Sequence, residues 1–132
     1  MSPRLFTLEE ARTALHEVRP LVERLVESRA DQLAASARLA ELRSVAAGNG
    51  HGGEREQAAE ATRALDEANG RIQGALAALA ALGVVVKSMD AGLVDFFSLR
   101  DGEQIFLCWQ LGEADIGFWH GLDSGFAGRQ PL

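Results

Sequence analysis

The fold is decided by residues 48–82, which read GNGHGGEREQAAEATRALDEANGRIQGALAALAAL. Four glycines within six residues open this stretch, which indicates a flexible turn. After the turn, small and aliphatic residues alternate at intervals of three and four, as they do on one face of a helix. These residues are Ala58, Ala61, Leu65, Ala68, Ile72, Ala75, Leu79 and Leu82. We therefore predict a helix over residues 54–82 that ends at Gly83.

The residues before the turn predict a second arm of nearly equal length. The apolar seam continues over residues 20–47, and two equal arms joined by a short turn are typical of an antiparallel coiled-coil hairpin. Pro20 removes a helical N–H and clashes with the preceding turn, so a kink or a break is expected there. We predict a separate short helix over residues 8–18, which begins with the capping-box spacing Thr7-Leu8-Glu9-Glu10.

Aromatic residues are concentrated after Gly83. Seven of the eight aromatic residues lie in residues 96–126, whereas 17 of the 22 alanines lie in residues 30–81. Because aromatic residues favour strands and alanine favours helices, the chain is expected to be one α+β domain, residues 1–132. Its helical part covers residues 8–82, and a small antiparallel sheet with an irregular tail covers residues 84–132.

The clearest hairpin signal in the β-rich part is Asp101-Gly102. In the strand that follows it, Ile105, Leu107 and Trp109 alternate with Phe106 and Cys108, so both faces of that strand are apolar and both are expected to be covered. The short N-terminal helix can cover one face. A partner subunit, a bound ligand or the helical hairpin can cover the other.

Composition excludes several classes of protein. The formal charge is −6, which argues against broad nucleic-acid affinity. No apolar run reaches the roughly 18 residues of a membrane span, and the first residues lack the apolar stretch of a signal peptide. The single cysteine, Cys108, excludes an internal disulfide and the common structural zinc sites with several cysteines. We expect a small soluble cytoplasmic protein that contacts neither membranes nor nucleic acids.

Short motifs along nearly the whole chain resemble one family. They are Phe6-Thr7, Glu10-Ala11, Val18-Arg19-Pro20, Gly92-Leu93-Val94-Asp95-Phe96, Leu107-Cys108-Trp109, Gly112-Glu113, Trp119-His120 and Gly125-Phe126-Ala127-Gly128-Arg129. The chain resembles an uncharacterised prokaryotic family, the domain of unknown function numbered 2203. The pattern of that family often has proline at the positions of His16 and Phe97, where this chain departs from it. The resemblance implies no chemistry, because the family has no agreed activity.

Two kinds of site compete in the β-rich part. Cys108, Glu113, Asp115 and His120 lie within thirteen residues and carry side chains that bind zinc or iron, so they are a candidate metal site. The competing interpretation is that Cys108 is a small buried hydrophobe and His120 a hydrogen-bonded residue at a strand end. Cys108 and His120 are also a candidate nucleophile and base.

The remaining candidates are the acidic residue Asp95, the basic residue Arg129 and the aromatic residues. Asp95 lies between apolar neighbours and is expected to pair with Arg129 or Lys87, or to act as a general base. Arg129 and the glycines near it also suggest an anion site. The aromatic residues are expected to form either a surface for partners or the core of the small sheet: Phe106, Trp109, Phe118, Trp119 and Phe126.

These features favour a non-enzymatic interaction or oligomerisation module. Such a module is expected to be a homo-oligomer, preferably a dimer, and to bind peptides or exposed apolar segments, as a chaperone in stress protection does. The alternative is a small metal-binding or ligand-binding protein, or an enzyme. Its site would combine the polar residues of the β-rich part: Asp95, Cys108, Glu113, His120 and Arg129.

Overall fold

The computed structural model begins its first helix with the predicted capping box. The N–H of Glu10 donates to Oγ1 of Thr7 at 3.0 Å, and the N–H of Thr7 donates to Oε1 of Glu10 at 2.9 Å. The hydrogen bonds from Thr7 lower the pKa of the Glu10 carboxyl group. Just before the cap, Phe6 packs edge-on against Phe96 with ring centroids 5.2 Å apart, which fixes the N-terminal segment to the sheet.

The prediction of a separate helix over residues 8–18 is wrong. Helix α1 runs from Leu8 to Asn49 and contains Pro20. Val18 and Val22, on either side of the proline, are both completely buried on the same face of the helix. A break at Pro20 would separate these buried turns from the sheet. Their burial therefore offsets the cost of about 3 kcal/mol that proline imposes inside a helix.

The second helix and the helical hairpin are as predicted. Helix α2 runs from Glu54 to Leu82 and is capped by Gly83. The φ of Gly83 is 85°, a left-handed conformation that glycine adopts easily because it has no Cβ atom. Polar side-chain contacts join the two helices, including an ion pair in which Nη2 of Arg71 lies 3.2 Å from Oδ2 of Asp31. The structure describes residues 3–49 and 52–132, without the side chains of residues 46–49. Two residues of the predicted glycine turn, Gly50 and His51, lie outside the described residues.

The β-rich part forms a five-stranded antiparallel sheet whose strands lie in chain order. The strands are β1 (Val84–Ser88), β2 (Leu93–Arg100), β3 (Glu103–Gln110), β4 (Phe118–Gly121) and β5 (Gln130–Pro131). The turn between β2 and β3 is the predicted one, and Asp101 and Gly102 both have positive φ, as a type I′ turn requires. The tail that was expected to be irregular adds the short β5.

The two faces of the sheet have different surroundings. The inner face packs against both helices and contributes Val94, Phe96, Leu107 and Trp109 to the main core. Residues 8–18 take part in this cover, as expected, because Ala11, Leu15 and Val18 belong to the same core. The outer face carries Asp95, Phe106, Cys108 and His120, which lie outside that core although each is buried.

Within the part of the chain that the structure describes, no helix is both long enough and apolar enough to span a bilayer.

Candidate functional site

Three side chains with metal-binding or acid–base chemistry converge on the outer face of the sheet. Asp95 of β2 lies directly opposite Cys108 of β3. His120 of β4 lies opposite Phe106, which is two residues before Cys108 in β3. Asp95 is 1%, Cys108 0% and His120 2% exposed. One ligand atom from each lies within 4.8 Å of the others. We call these three residues the outer-face cluster.

Both ring nitrogens of His120 face hydrogen-bond acceptors. Nδ1 lies 2.8 Å from the carbonyl oxygen of Gly121, and Nε2 lies 3.0 Å from Oδ2 of Asp95. A neutral imidazole donates from only one nitrogen, so the tautomer decides whether His120 donates to Gly121 or to Asp95. The other carboxyl oxygen of Asp95, Oδ1, has no hydrogen-bond partner among the described residues.

The thiol of Cys108 is protonated at neutral pH. Burial, followed by the negative charge of Asp95, raises the pKa of the Cys108 thiol from 9.0 to about 12. The thiolate is the nucleophilic form of cysteine, so this environment suppresses its reactivity. Because both nitrogens of His120 are also engaged, the geometry does not favour Cys108 and His120 as a nucleophile and its base.

The two other ligands suggested by the sequence lie outside the cluster. The carboxylate of Glu113 accepts two hydrogen bonds from Nη2 of Arg129, at 2.7 and 2.8 Å. Asp115 is exposed, and its Oδ2 lies 3.5 Å from Nε of Arg12. The structure therefore brings Cys108 and His120 together as the candidate metal site requires, but places Asp95 beside them instead of Glu113 or Asp115.

Neither ion pair expected for Asp95 is formed. Arg129 pairs with Glu113, and its guanidinium group lies over the rings of Phe118 at 4.0 Å and Phe126 at 4.7 Å. The ammonium group of Lys87 lies 4.6 Å above the ring of Phe106. Arg129 therefore anchors the C-terminal segment to β4, and the structure gives it a stabilising contact rather than a free anion site.

The aromatic residues suggested as an interaction surface lie on opposite faces of the sheet. Phe106 and Phe118 belong to the outer face, whereas Trp109 is completely buried in the main core. Trp119 packs against that core from the inner face. Phe126, in the C-terminal segment, is 47% exposed. The five side chains thus do not form one continuous patch.

An apolar groove lies between the N-terminal segment and the β2–β3 hairpin. Its volume is about 370 Å³, and its lining includes Leu5, Leu99, Leu132 and Arg100. The three leucines are 41%, 54% and 46% exposed, respectively. The guanidinium group of Arg100 lies 4.5 Å above the ring of Trp119. We call this feature the leucine groove.

Sequence reasoning included Asp95 in the broader alternative site but left it out of the four-residue metal site, and it did not find the leucine groove. The position of Asp95 could have been found, because a two-residue turn at Asp101-Gly102 pairs residues at equal distances on either side of it, and Asp95 and Cys108 are such a pair. No comparable pattern in the sequence predicts the leucine groove. It joins residues from both ends of the chain and from one hairpin, which only the tertiary fold brings together.

The comparisons with known proteins identify a family but no activity. No curated protein and no solved structure matches the chain. A family model described as an uncharacterised conserved protein, DUF2203, matches residues 4–132. Because that match covers almost the whole chain, this protein belongs to the DUF2203 family.

Proposed function

We propose that the protein is a cytoplasmic, non-enzymatic interaction module that binds an apolar segment of a partner protein in the leucine groove. The observation that carries the proposal is the convergence of Leu5, Leu99 and Leu132, each more than two-fifths exposed, around one concave feature. Single exposed leucines are common, but a group of them around a groove is typical of interaction sites.

The size of the leucine groove favours side chains over a large ligand. A volume of about 370 Å³ is near the lower end of the range of roughly 300–1,000 Å³ for small-molecule pockets. A groove of that size accommodates a few aliphatic side chains of an extended peptide. This type of binding is expected of a module that shields apolar segments, as a chaperone does.

Arg100 indicates the charge of the preferred partner. Its guanidinium group stacks on Trp119, and among the described residues no carboxylate lies within ion-pair distance of it. A guanidinium group binds a carboxylate through two parallel hydrogen bonds. The proposed occupant is therefore an extended segment that combines leucine-like side chains with an aspartate or glutamate.

The test is calorimetric titration of the full chain with short synthetic peptides. A peptide with two leucines around a central aspartate is compared with the same peptide carrying lysine at the centre. We expect the acidic peptide to bind more tightly, and we expect Leu99→Lys to abolish binding. Leu33→Lys is the matched control, because Leu33 is 50% exposed on α1 and does not line the groove.

Native mass spectrometry of the same samples tests the expected homo-oligomer. A dimer that dissociates in Leu99→Lys but persists in Leu33→Lys would show that a second copy occupies the groove. If the chain is monomeric, and the peptides either fail to bind or bind Leu99→Lys as well as the unaltered chain, the proposal is wrong.

A further inference from the structure

We infer that Asp95, Cys108 and His120 form a binding site for one divalent transition-metal ion, with zinc(II) the best match to the ligand set. This inference is independent of the leucine groove, which lies on other residues. The site differs from the one suggested by the sequence, because Asp95 replaces both Glu113 and Asp115 as the carboxylate ligand.

The chemistry of the three donors is the first support. A thiolate, an imidazole nitrogen and a carboxylate oxygen are the three types of protein ligand that zinc binds. Magnesium and calcium prefer oxygen ligands alone, so the sulfur and the nitrogen select against them. The three side chains come from three adjacent strands, which hold them more precisely than loops would.

The distances fit a tetrahedral ion with little movement. Oδ2 of Asp95 and Nε2 of His120 are 3.0 Å apart. Two such ligands around tetrahedral zinc lie about 3.3 Å apart, given bonds of about 2.0–2.1 Å. The ligand atoms of the cluster all lie within 4.8 Å of one another, so small side-chain rotations that draw Cys108 inward complete the geometry.

The orientation of His120 also matches a metal ligand. Nδ1 lies 2.8 Å from the carbonyl oxygen of Gly121, to which it can donate. Histidines that bind metals usually donate their second N–H to a carbonyl or carboxylate oxygen, which fixes the ring and directs the other nitrogen at the ion. In this structure the other nitrogen, Nε2, lies 3.0 Å from Oδ2 of Asp95, which is another of the three proposed ligand atoms.

An unsatisfied buried oxygen gives independent support. Asp95 is 1% exposed, and its Oδ1 has no hydrogen-bond partner among the described residues. Buried carboxyl oxygens are nearly always hydrogen-bonded or bound to metal. A divalent ion would satisfy this carboxyl group and would displace the proton of the Cys108 thiol to solvent. The charges of Asp95 and the resulting thiolate would together neutralise the ion. Three protein ligands leave one tetrahedral position for water or another small ligand.

Cobalt(II) is the probe, because its absorption reports both the ligands and the geometry of a zinc site. The full chain is stripped with a chelator and titrated with cobalt(II), and zinc(II) is then added to displace it. We expect one equivalent to bind, with a thiolate-to-cobalt band in the near ultraviolet and intense visible bands of a four-coordinate ion. Cys108→Ser should lose the near-ultraviolet band, and Asp95→Asn and His120→Gln should each weaken binding at least about 10-fold.

Asp115→Asn is the matched control, because it removes an acid that the sequence suggested but that lies outside the cluster. It should bind cobalt(II) as the unaltered chain does, and circular dichroism verifies the folding of every variant. The inference fails if the unaltered chain binds no cobalt(II), or binds it without the thiolate band. That spectrum is decisive even if a variant does not fold. Equal affinity in a folded Asp95→Asn variant would also overturn it.

Discussion

Raising the pH from 8.5 to 10.5 should destabilise this protein through one thiol. The Cys108 thiol keeps its proton up to a pKa of about 12 in the folded chain, whereas an exposed cysteine loses it near 9.0. Between these values the unfolded state releases the proton first, so the stability falls as the pH rises. Linkage gives a loss of about 2 kcal/mol over this interval.

The composition leaves few other groups that could cause a loss of stability over this pH interval. The chain has no tyrosine, and Lys87 is its only lysine, so few other groups titrate in the same interval. Urea unfolding at several pH values, with a chelator present, measures the stability of the unaltered chain and of Cys108→Ala. The variant should show a much smaller decline with pH. Parallel declines in the two proteins would refute the assignment of a raised thiol pKa to the burial of Cys108 beside Asp95.

Three further substitutions test the packing that supports the site. Pro20→Ala should raise the free energy of unfolding by about 1–3 kcal/mol, because α1 is continuous there; a decrease in denaturant melts would show that proline is needed. Phe6→Ala should cost about 3–5 kcal/mol and increase proteolysis of the N-terminal segment, since Phe6 is 2% exposed against Phe96. Arg129→Met should cost about 1–3 kcal/mol by thermal melting and leave Glu113 without its partner, whereas the double variant with Glu113→Gln should recover part of the loss.

The helical hairpin and the β2–β3 turn could be predicted because their signals are local. An apolar seam at intervals of three and four identifies α2 without reference to the rest of the chain, and Asp101-Gly102 specifies its own turn. The prediction that a separate helix ends before Pro20 is wrong for the opposite reason. The local cost of the proline is real, but the burial of Val18 and Val22 against the sheet outweighs it, and that burial depends on strands more than 60 residues away along the chain.

The candidate site was predicted only in part. Cys108 and His120 stood out by residue type, and their proximity in the sequence suggested that they meet. Glu113 and Asp115 lie closer to them along the chain than Asp95 does, but both belong to the segment between β3 and β4. Strand pairing, rather than distance along the chain, decides which acid reaches the outer face, and the register of β2 against β3 selects Asp95.

The position of the sheet after both helices has a consequence for synthesis. The early turns of α1 are buried against strands that the ribosome makes last. The hydroxyl of Ser98 donates to the carbonyl oxygen of Phe6, 92 residues earlier, and Arg12 donates to the carbonyl oxygen of Ile116, 104 residues later. Synthesis adds about 5–20 residues per second, so the apolar face of α1 that packs on the sheet stays exposed for roughly 5–20 s until β3 is made. A nascent chain that stalls before β3 exposes that face, and it becomes a target for chaperones and proteases.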